Sequence, residues 1–183
     1  DIVGGRLRVT KNAATNISTF TQPKDIEVNT TDVYYFACNF ESSSILRYFR
    51  LHAVQSSGSI QKYIASPNID LPANTPTFIS HIGVFNGAVS ANRLGFGFYT
   101  EGATGTDYFV DNLVVYNITE MKSKGVKDDS GTLFSRLTND EIKDQMDIWV
   151  KVGFPDHVIT ALYPDGVDSA IALKYNDADD VFR

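Results

Sequence analysis

Between residues 6 and 116 the chain consists of short segments in which apolar and polar residues alternate, separated by turn-forming residues. A period of two is typical of β-strands, because successive side chains in a strand point to opposite faces of a sheet. About six or more such segments follow one another at roughly ten-residue spacing. The pattern therefore predicts an all-β fold, an antiparallel β-sandwich of the jelly-roll type, in which each sheet hides its apolar face against the other.

The clearest strand is predicted over residues 32–40, where Tyr35 and Asn39 point away from the apolar face. That apolar face consists of the even-numbered residues Tyr34, Phe36, Cys38 and Phe40. Cys38 is the single cysteine, so no internal disulfide is possible, and its phase predicts a buried small hydrophobe.

Three later segments repeat the alternation. In residues 46–53 the apolar face holds Phe49, Leu51 and Ala53, and the opposite face holds Tyr48, Arg50 and His52. In residues 78–84, His81 is out of phase with Phe78, Ile82 and Val84. In residues 94–99, Leu94, Phe96 and Phe98 point inward, whereas Gly95 and Gly97 leave the other face bare.

The composition changes after Met121. Residues 122–131 read as a charged, glycine-containing linker, and Thr138-Asn139-Asp140-Glu141 is a capping box that predicts a helix over residues 140–150. One apolar stripe of that helix must dock on another surface; it consists of Ile142, Met146, Trp149 and Val150. Beyond the helix, 158–163 and 167–175 predict a hairpin or an extended connection. The predicted units are a module over 1–120, a linker over 121–137, and a helical and extended extension over 138–183.

Composition excludes several classes of partner. An apolar content of 43% with 12% aromatic residues is typical of a folded, β-rich globule. The net charge is −6 and the basic residues are scattered, which argues against nucleic acid or an anionic membrane surface as a partner. No apolar run approaches the ~20 residues of a transmembrane helix.

Catalytic signatures are also missing from the sequence. The three histidines show no metal-ligand spacing, and there is no nucleophile elbow or phosphate loop. Acidic pairs such as Asp128-Asp129 and Asp179-Asp180 lie in linker-like or terminal runs. A glycosidase needs two carboxylates held across a cleft, so we predict that the protein is not an enzyme.

Three segments in order resemble jelly-roll carbohydrate-binding modules, the type associated with xylanases and cellulases, over about residues 5–120. They are Asp32-Val-Tyr-Tyr-Phe-Ala37, Leu94-Gly-Phe-Gly-Phe-Tyr99 and Tyr108-Phe-Val-Asp-Asn-Leu-Val-Val-Tyr116. The family's opening Asn-Gly-Asp/Glu-Phe-Glu stretch is absent, and the chain begins at Asp1 without a methionine. We therefore expect either a truncated chain or a partial resemblance.

The exit Tyr116-Asn-Ile-Thr-Glu-Met121 resembles the junction that follows such modules in phage tail and baseplate proteins. The usual continuation Phe-Gly-Ala-Gly-Asn-Glu-Pro is replaced by Lys122-Ser-Lys-Gly125. The resemblance implies a virion protein that binds host cell-wall saccharide during adsorption, alongside other tail subunits. Two alternatives stay open: an accessory module of a secreted polysaccharide hydrolase, and a ligand-free structural tail domain.

In such modules the Asp of the last strand often binds a structural Ca²⁺, and Asp111 matches that position. Its phase with Phe109, Leu113 and Val115 predicts that it points to the interior, where a carboxylate needs a cation or hydrogen-bond donors. The alternative is that Asp111 accepts backbone N–H bonds at the strand edge.

Sugars are bound by aromatic platforms and planar polar side chains, which a rigid sheet face presents well. The residues out of phase with the apolar faces form the predicted saccharide site: Tyr35, Tyr48, Arg50, His52, His81 and Tyr99. A loop-tip site at Phe85, Asn86 and Arg93 is the alternative. The same strand residues would also suit plain solvent-facing positions or a surface covered by the C-terminal helix. Trp149 is interpreted as a docking anchor.

Overall fold

The computed structural model describes residues 2–3, 6–11, 17–21, 29–57, 60–87, 93–99 and 103–164. Within them the strands are β1 (Ile2–Val3), β2 (Arg6–Thr10), β3 (Ile17–Thr21), β4 (Tyr34–Ser42), β5 (Leu46–Ser57), β6 (Ile60–Ala65), β7 (Ile69–Leu71), β8 (Thr77–Gly83), β9 (Arg93–Tyr99) and β10 (Asp107–Asn117). The α-helices are α1 (Ile118–Ser123), α2 (Asn139–Val152) and α3 (Asp156–Leu162), and a 3-10 turn covers Phe134–Arg136. None of these helices is long and apolar enough to cross a membrane.

The strands form two antiparallel sheets. The first sheet has the order β1-β2-β10-β4-β8, and the second has the order β3-β9-β5-β6, with β7 pairing the start of β5. The last strand, β10, lies between β2 and β4, so an early strand and the last strand are neighbours in the first sheet. The predicted antiparallel β-sandwich is confirmed.

The core between the sheets is aromatic. Phe40 of β4 lies 4.4 Å from Phe49 of β5 and 5.2 Å from Phe98 of β9, measured between ring centroids. Cys38 is fully buried in the same cluster, and burial raises the pKa of its thiol to about 12. The predicted apolar face of β4 is therefore confirmed, and so are Phe49 and Leu51 of the β5 face, whereas the side chain of Ala53 lies outside the described residues.

A second core covers the outer face of the first sheet. Tyr35 and Ala37, the odd-numbered residues of β4, pack against the C-terminal segment rather than facing solvent. The residues that this segment contributes are Ile118, Met121, Val126, Phe134, Ile142, Met146, Trp149, Val158 and Leu162. Strand β4 is consequently buried on both faces over residues 34–38, where its sequence is continuously apolar.

The predicted helix is confirmed as α2, and its capping box joins the side chain and backbone of Thr138 to Glu141. Trp149 is a docking anchor as predicted, since its ring stacks on Phe134 at 5.5 Å with an interplanar angle of 8°. The segment 122–131, predicted as a linker, contributes the buried Val126.

The prediction of an extended segment over 158–163 is wrong. These residues belong largely to α3, because Val158 and Leu162 lie one helical turn apart and reach the same core. The segment 167–175 lies outside the described residues. The division into units at 1–120, 121–137 and 138–183 stays a prediction.

A β-bulge in β10 changes which face its residues occupy. Asp111 pairs with Asn39, but the next pair is Val114 with Ala37, and Asn112 adopts a left-handed conformation with φ of 50°. Val110 therefore points into the sandwich and Asp111 points outward, whereas beyond the bulge Val115 points inward. The prediction that Asp111 faces the interior is wrong, because the bulge shifts the alternation.

Candidate functional site

The predicted saccharide-binding residues do not share one surface. Tyr35 lies on the outer face of the first sheet, and His81 lies on edge strand β8. Arg50 and His52 lie on the outer face of the second sheet, which is the face directed away from the core between the sheets.

Tyr35 is covered by helix α2, and its exposed fraction is 0%. Its hydroxyl donates a hydrogen bond to Oδ1 of Asp147 at 2.8 Å, and Lys143 Nζ donates to the other oxygen of Asp147 at 2.9 Å. Burial, with the nearby Asp147 carboxylate, raises the pKa of the Tyr35 phenol. The prediction that Tyr35 belongs to an open binding face is therefore wrong.

His81 has the phase of Ile79, which lies in the core between the sheets. Its ring meets Phe36 edge-on at a centroid distance of 5.8 Å, and burial lowers its pKa, as does the more distant Lys143. The prediction that His81 shares a face with Arg50 and His52 is wrong. Alternation within a strand does not show which sheet the strand joins, and β8 belongs to the first sheet whereas β5 belongs to the second.

The outer face of the second sheet brings Arg50 and His52 of β5 beside glycine backbone. In the register between β5 and β9, Tyr99 lies opposite Arg50, Gly97 lies opposite His52, and Gly95 lies opposite Val54. The side chain of Tyr99 lies outside the described residues. Since the glycines carry no side chain, a ligand can approach the backbone of β9 closely at this position.

Tyr63 of β6 completes this face and was not predicted. Its ring is parallel to that of His52, with an interplanar angle of 9° and a centroid distance of 5.1 Å. Tyr63 is 39% exposed, whereas His52 is 6% exposed. The alternation of residues 60–65 could have predicted the position of Tyr63. Ile64 enters the core, so its neighbour Tyr63 lies on the opposite face of the sheet.

The strand edge at Tyr63 is held by Asn86. The Tyr63 N–H donates to Oδ1 of Asn86 at 3.0 Å, and the Asn86 N–H donates to the Tyr63 carbonyl at 3.2 Å. Phe85 is buried against Tyr34, with their rings 5.5 Å apart, so it cannot act as an aromatic platform and the loop-tip alternative is wrong for this residue. The side chain of Arg93 lies outside the described residues.

Burial, and secondly the charge of Arg50, lowers the pKa of His52 to about 4. His52 is consequently uncharged at neutral pH, and Nε2 is buried without a hydrogen-bond partner among the described groups. The ring acts as a neutral support behind Tyr63, while Arg50 supplies planar donors nearby.

Tyr48 stands at one end of the same strand. It is 54% exposed, with φ of 55°, and its N–H bonds Oδ1 of Asp70 at 3.3 Å. The pairing of β5 with β7 shifts register between Leu46 and Phe49, and this irregularity leaves Tyr48 projecting from the sandwich.

Asp111 does not have the surroundings of a calcium ligand. Its Oδ1 accepts one backbone N–H, that of Asn112, at 2.7 Å, as in the alternative interpretation, although β10 lies inside the sheet and not at its edge. Arg6 and Lys151 line a cleft that also contains Asp111. Ca²⁺ takes about six to eight oxygen ligands, and nearby cations oppose its binding. In the part of the chain that the structure describes, no group of three or more His, Cys, Asp or Glu side chains is gathered to hold a metal. Calcium binding at Asp111 stays a prediction that this donor set does not support.

Comparisons with known proteins give one kind of match. No protein family and no curated protein matches the chain. Among solved structures, the chain is similar to "Family 16 Carbohydrate Binding Module-2", at 8% sequence identity and a TM-score of 0.38. That similarity covers 61% of this chain and 76% of the other.

Proposed function

We propose that this chain is a non-catalytic carbohydrate-binding module and that saccharide binds on the outer face of the second sheet. The observation that carries the proposal is the stacked pair of His52 and Tyr63 beside the bare backbone of Gly95 and Gly97. No described helix packs extensively on this sheet, in contrast to the first sheet.

The chemistry of the face suits a sugar. One side of an aromatic ring meets the apolar C–H groups of a pyranose, and planar polar side chains bind its hydroxyls. His52 supports the Tyr63 ring from one side, which lowers the entropy cost of holding the ring in place on binding. Arg50 carries donors in a fixed planar arrangement. A single shallow site of this kind binds weakly, and many copies make the binding effective.

We propose further that the saccharide belongs to the cell wall of a bacterial host and that the module serves adsorption as part of a phage tail or baseplate. The support is the resemblance of the Tyr116–Met121 exit to the tail-protein junction. In the fold the Asn117 side chain caps α1 by accepting the Glu120 N–H at 3.0 Å, so the chain continues from β10 directly into this helix. An accessory module of a secreted hydrolase would use the same sheet face.

Binding of the labelled chain to glycan arrays and to intact bacterial cells, with competition by solubilised cell-wall polysaccharide, tests the proposal. We expect Tyr63→Ala to remove the competed signal while the fold persists. Val152→Ala is the matched control, since Val152 is an exposed apolar residue on α2, away from the second sheet, and should bind normally. Absence of binding to every glycan would favour the ligand-free structural role, and unchanged binding by Tyr63→Ala would place the site elsewhere.

A further inference from the structure

A cleft of about 410 Å³ opens on the outer face of the first sheet, beyond the area that the C-terminal helices cover. Strands β2, β10, β4 and β8 supply most of its lining, and the last turn of α2 supplies Lys151. The residues that matter for its chemistry are Arg6, Glu41, Phe78, Phe109, Asp111 and Lys151. The volume lies within the range of about 300–1,000 Å³ that is typical of small-molecule sites.

Cations occupy the faces of both aromatic rings in the cleft. Lys151 Nζ lies 4.2 Å from the centroid of Phe78, and the guanidinium carbon of Arg6 lies 4.8 Å from the centroid of Phe109. These contacts hold the two cations in place. Each cation also covers one face of its ring, which distinguishes this cleft from the outer face of the second sheet, where Tyr63 stacks on the neutral His52 ring.

Two of the four charges in the cleft neutralise each other directly. Arg6 forms an ion pair with Glu41 at 2.6 Å. Lys151 and Asp111 form no ion pair with each other or with any other side chain that the structure describes. The cleft therefore presents one ammonium group and one half-buried carboxylate, separated by more than ion-pairing distance and facing the same space.

We propose that the cleft binds a small zwitterion of the α-amino-acid class. Its carboxylate pairs with Lys151, its ammonium group pairs with Asp111, and its apolar side chain lies along the ring edges of Phe78 and Phe109. A ligand with one charge would pair with only one of the two groups, the exposed Lys151 or the half-buried Asp111, so a zwitterion gains one more charge-assisted hydrogen bond than a simple anion or a simple cation.

NMR titration of the complete ¹⁵N-labelled chain with L-leucine tests this proposal. We expect shifts at the amides of Asn112 and Lys151. The singly charged analogues N-acetyl-L-leucine and L-leucinamide should bind about tenfold more weakly or worse, since each lacks one charge-assisted hydrogen bond. Asp111→Asn and Lys151→Met should weaken leucine binding to a similar degree, and Lys127→Met, outside the cleft, is the control.

Three results would overturn the proposal. One is the absence of leucine-dependent shifts at concentrations on the order of 10 mM, the weak end of small-ligand affinity. Another is equal binding of leucine and both analogues, which would show that the paired charges are not recognised. The third is a response of the same amides to cello-oligosaccharides in place of leucine, which would make the cleft a second saccharide site. The spectra of each variant report folding in the same experiment, and the outcome is independent of the saccharide proposal.

Discussion

At the scale of single residues, whether another element covers a strand face decides whether a side chain on that face is buried or accessible to a ligand. Tyr35 and Tyr63 both occupy positions out of phase with the core between the sheets. Tyr35 lies beneath α2 and is hydrogen-bonded to Asp147, whereas Tyr63 stands partly exposed against His52. The first tyrosine therefore contributes to stability, and the second is available to a ligand.

Removal of the Tyr35 hydroxyl tests its structural role. Tyr35→Phe removes the hydroxyl that donates to Oδ1 of the partly buried Asp147, so we expect the free energy of unfolding to fall by about 1–2 kcal/mol. Tyr48→Phe is the control and should change it by less than about 0.5 kcal/mol, because Tyr48 is exposed. Urea denaturation followed by circular dichroism measures both. Equal stability of Tyr35→Phe and the parent would show that the hydrogen bond contributes nothing.

The lowered pKa of His52 predicts how the free energy of unfolding depends on pH. Its folded pKa of about 4 lies below the ordinary value of 6.5, so protonation favours the unfolded chain. The contribution of His52 is constant above about pH 7, and the free energy of unfolding falls as pH drops from about 6.5 to about 4, by roughly 2–3 kcal/mol in total. His52→Gln should lack this part of the acid destabilisation.

The measurement is an NMR titration of the His52 ring, together with urea denaturation of the parent and His52→Gln at pH 7 and pH 4.5. A ring pKa near 6.5 would contradict the buried, neutral histidine.

At the scale of elements, alternation predicted correctly that Phe36, Cys38 and Phe40 of β4, and Phe49 and Leu51 of β5, enter the core between the sheets, because each of these runs keeps a period of two. It failed in β10, where the bulge at Asn112 adds one residue relative to β4 and so shifts the alternation within the strand. It also failed at α3, since Val158 and Leu162 suit either a short strand or a single apolar helical stripe. A short apolar segment such as 158–163 does not distinguish a strand from a helix by its sequence pattern alone.

The bulge gives a prediction at Asn112, whose φ is 50°. A β-branched side chain is strained in this conformation, so Asn112→Val should lower the free energy of unfolding by about 1–2 kcal/mol. Asn112→Gly adopts the conformation without strain and should stay within about 0.5 kcal/mol of the parent. Thermal or urea denaturation of the two variants measures the difference. Equal losses in both would mean that the Asn side chain, rather than the backbone conformation, stabilises the bulge.

At the scale of the whole molecule, two cores share one sheet. The stripe of α2 predicted that this helix docks, but its sequence does not say on which surface. The site prediction therefore mixed residues from a covered face and an open face. Arg50 and His52 share the outer face of the second sheet, whereas Tyr35 and His81 lie elsewhere, because pairing between distant strands decides which faces coincide.

Sharing of the first sheet predicts cooperative unfolding. Trp149 reports on the C-terminal core by fluorescence, and far-ultraviolet circular dichroism reports on the strands. We expect the two urea transitions to coincide, because loss of the C-terminal core would expose Tyr35, Ala37 and Val114. Met146→Ala should lower both midpoints together. A fluorescence transition that precedes the loss of strand signal would instead show an independent C-terminal unit.

The central claim is that saccharide binds on the outer face of the second sheet. Its most direct test is an NMR map of the ¹⁵N-labelled chain titrated with cello-oligosaccharides, xylo-oligosaccharides and solubilised bacterial cell-wall polysaccharide. The account predicts shifts at the amides of Arg50, His52, Tyr63 and Gly97 with at least one of these probes, and none at Ala37 or Trp149. Shifts confined to the C-terminal helices, or no shifts with any probe, would contradict it.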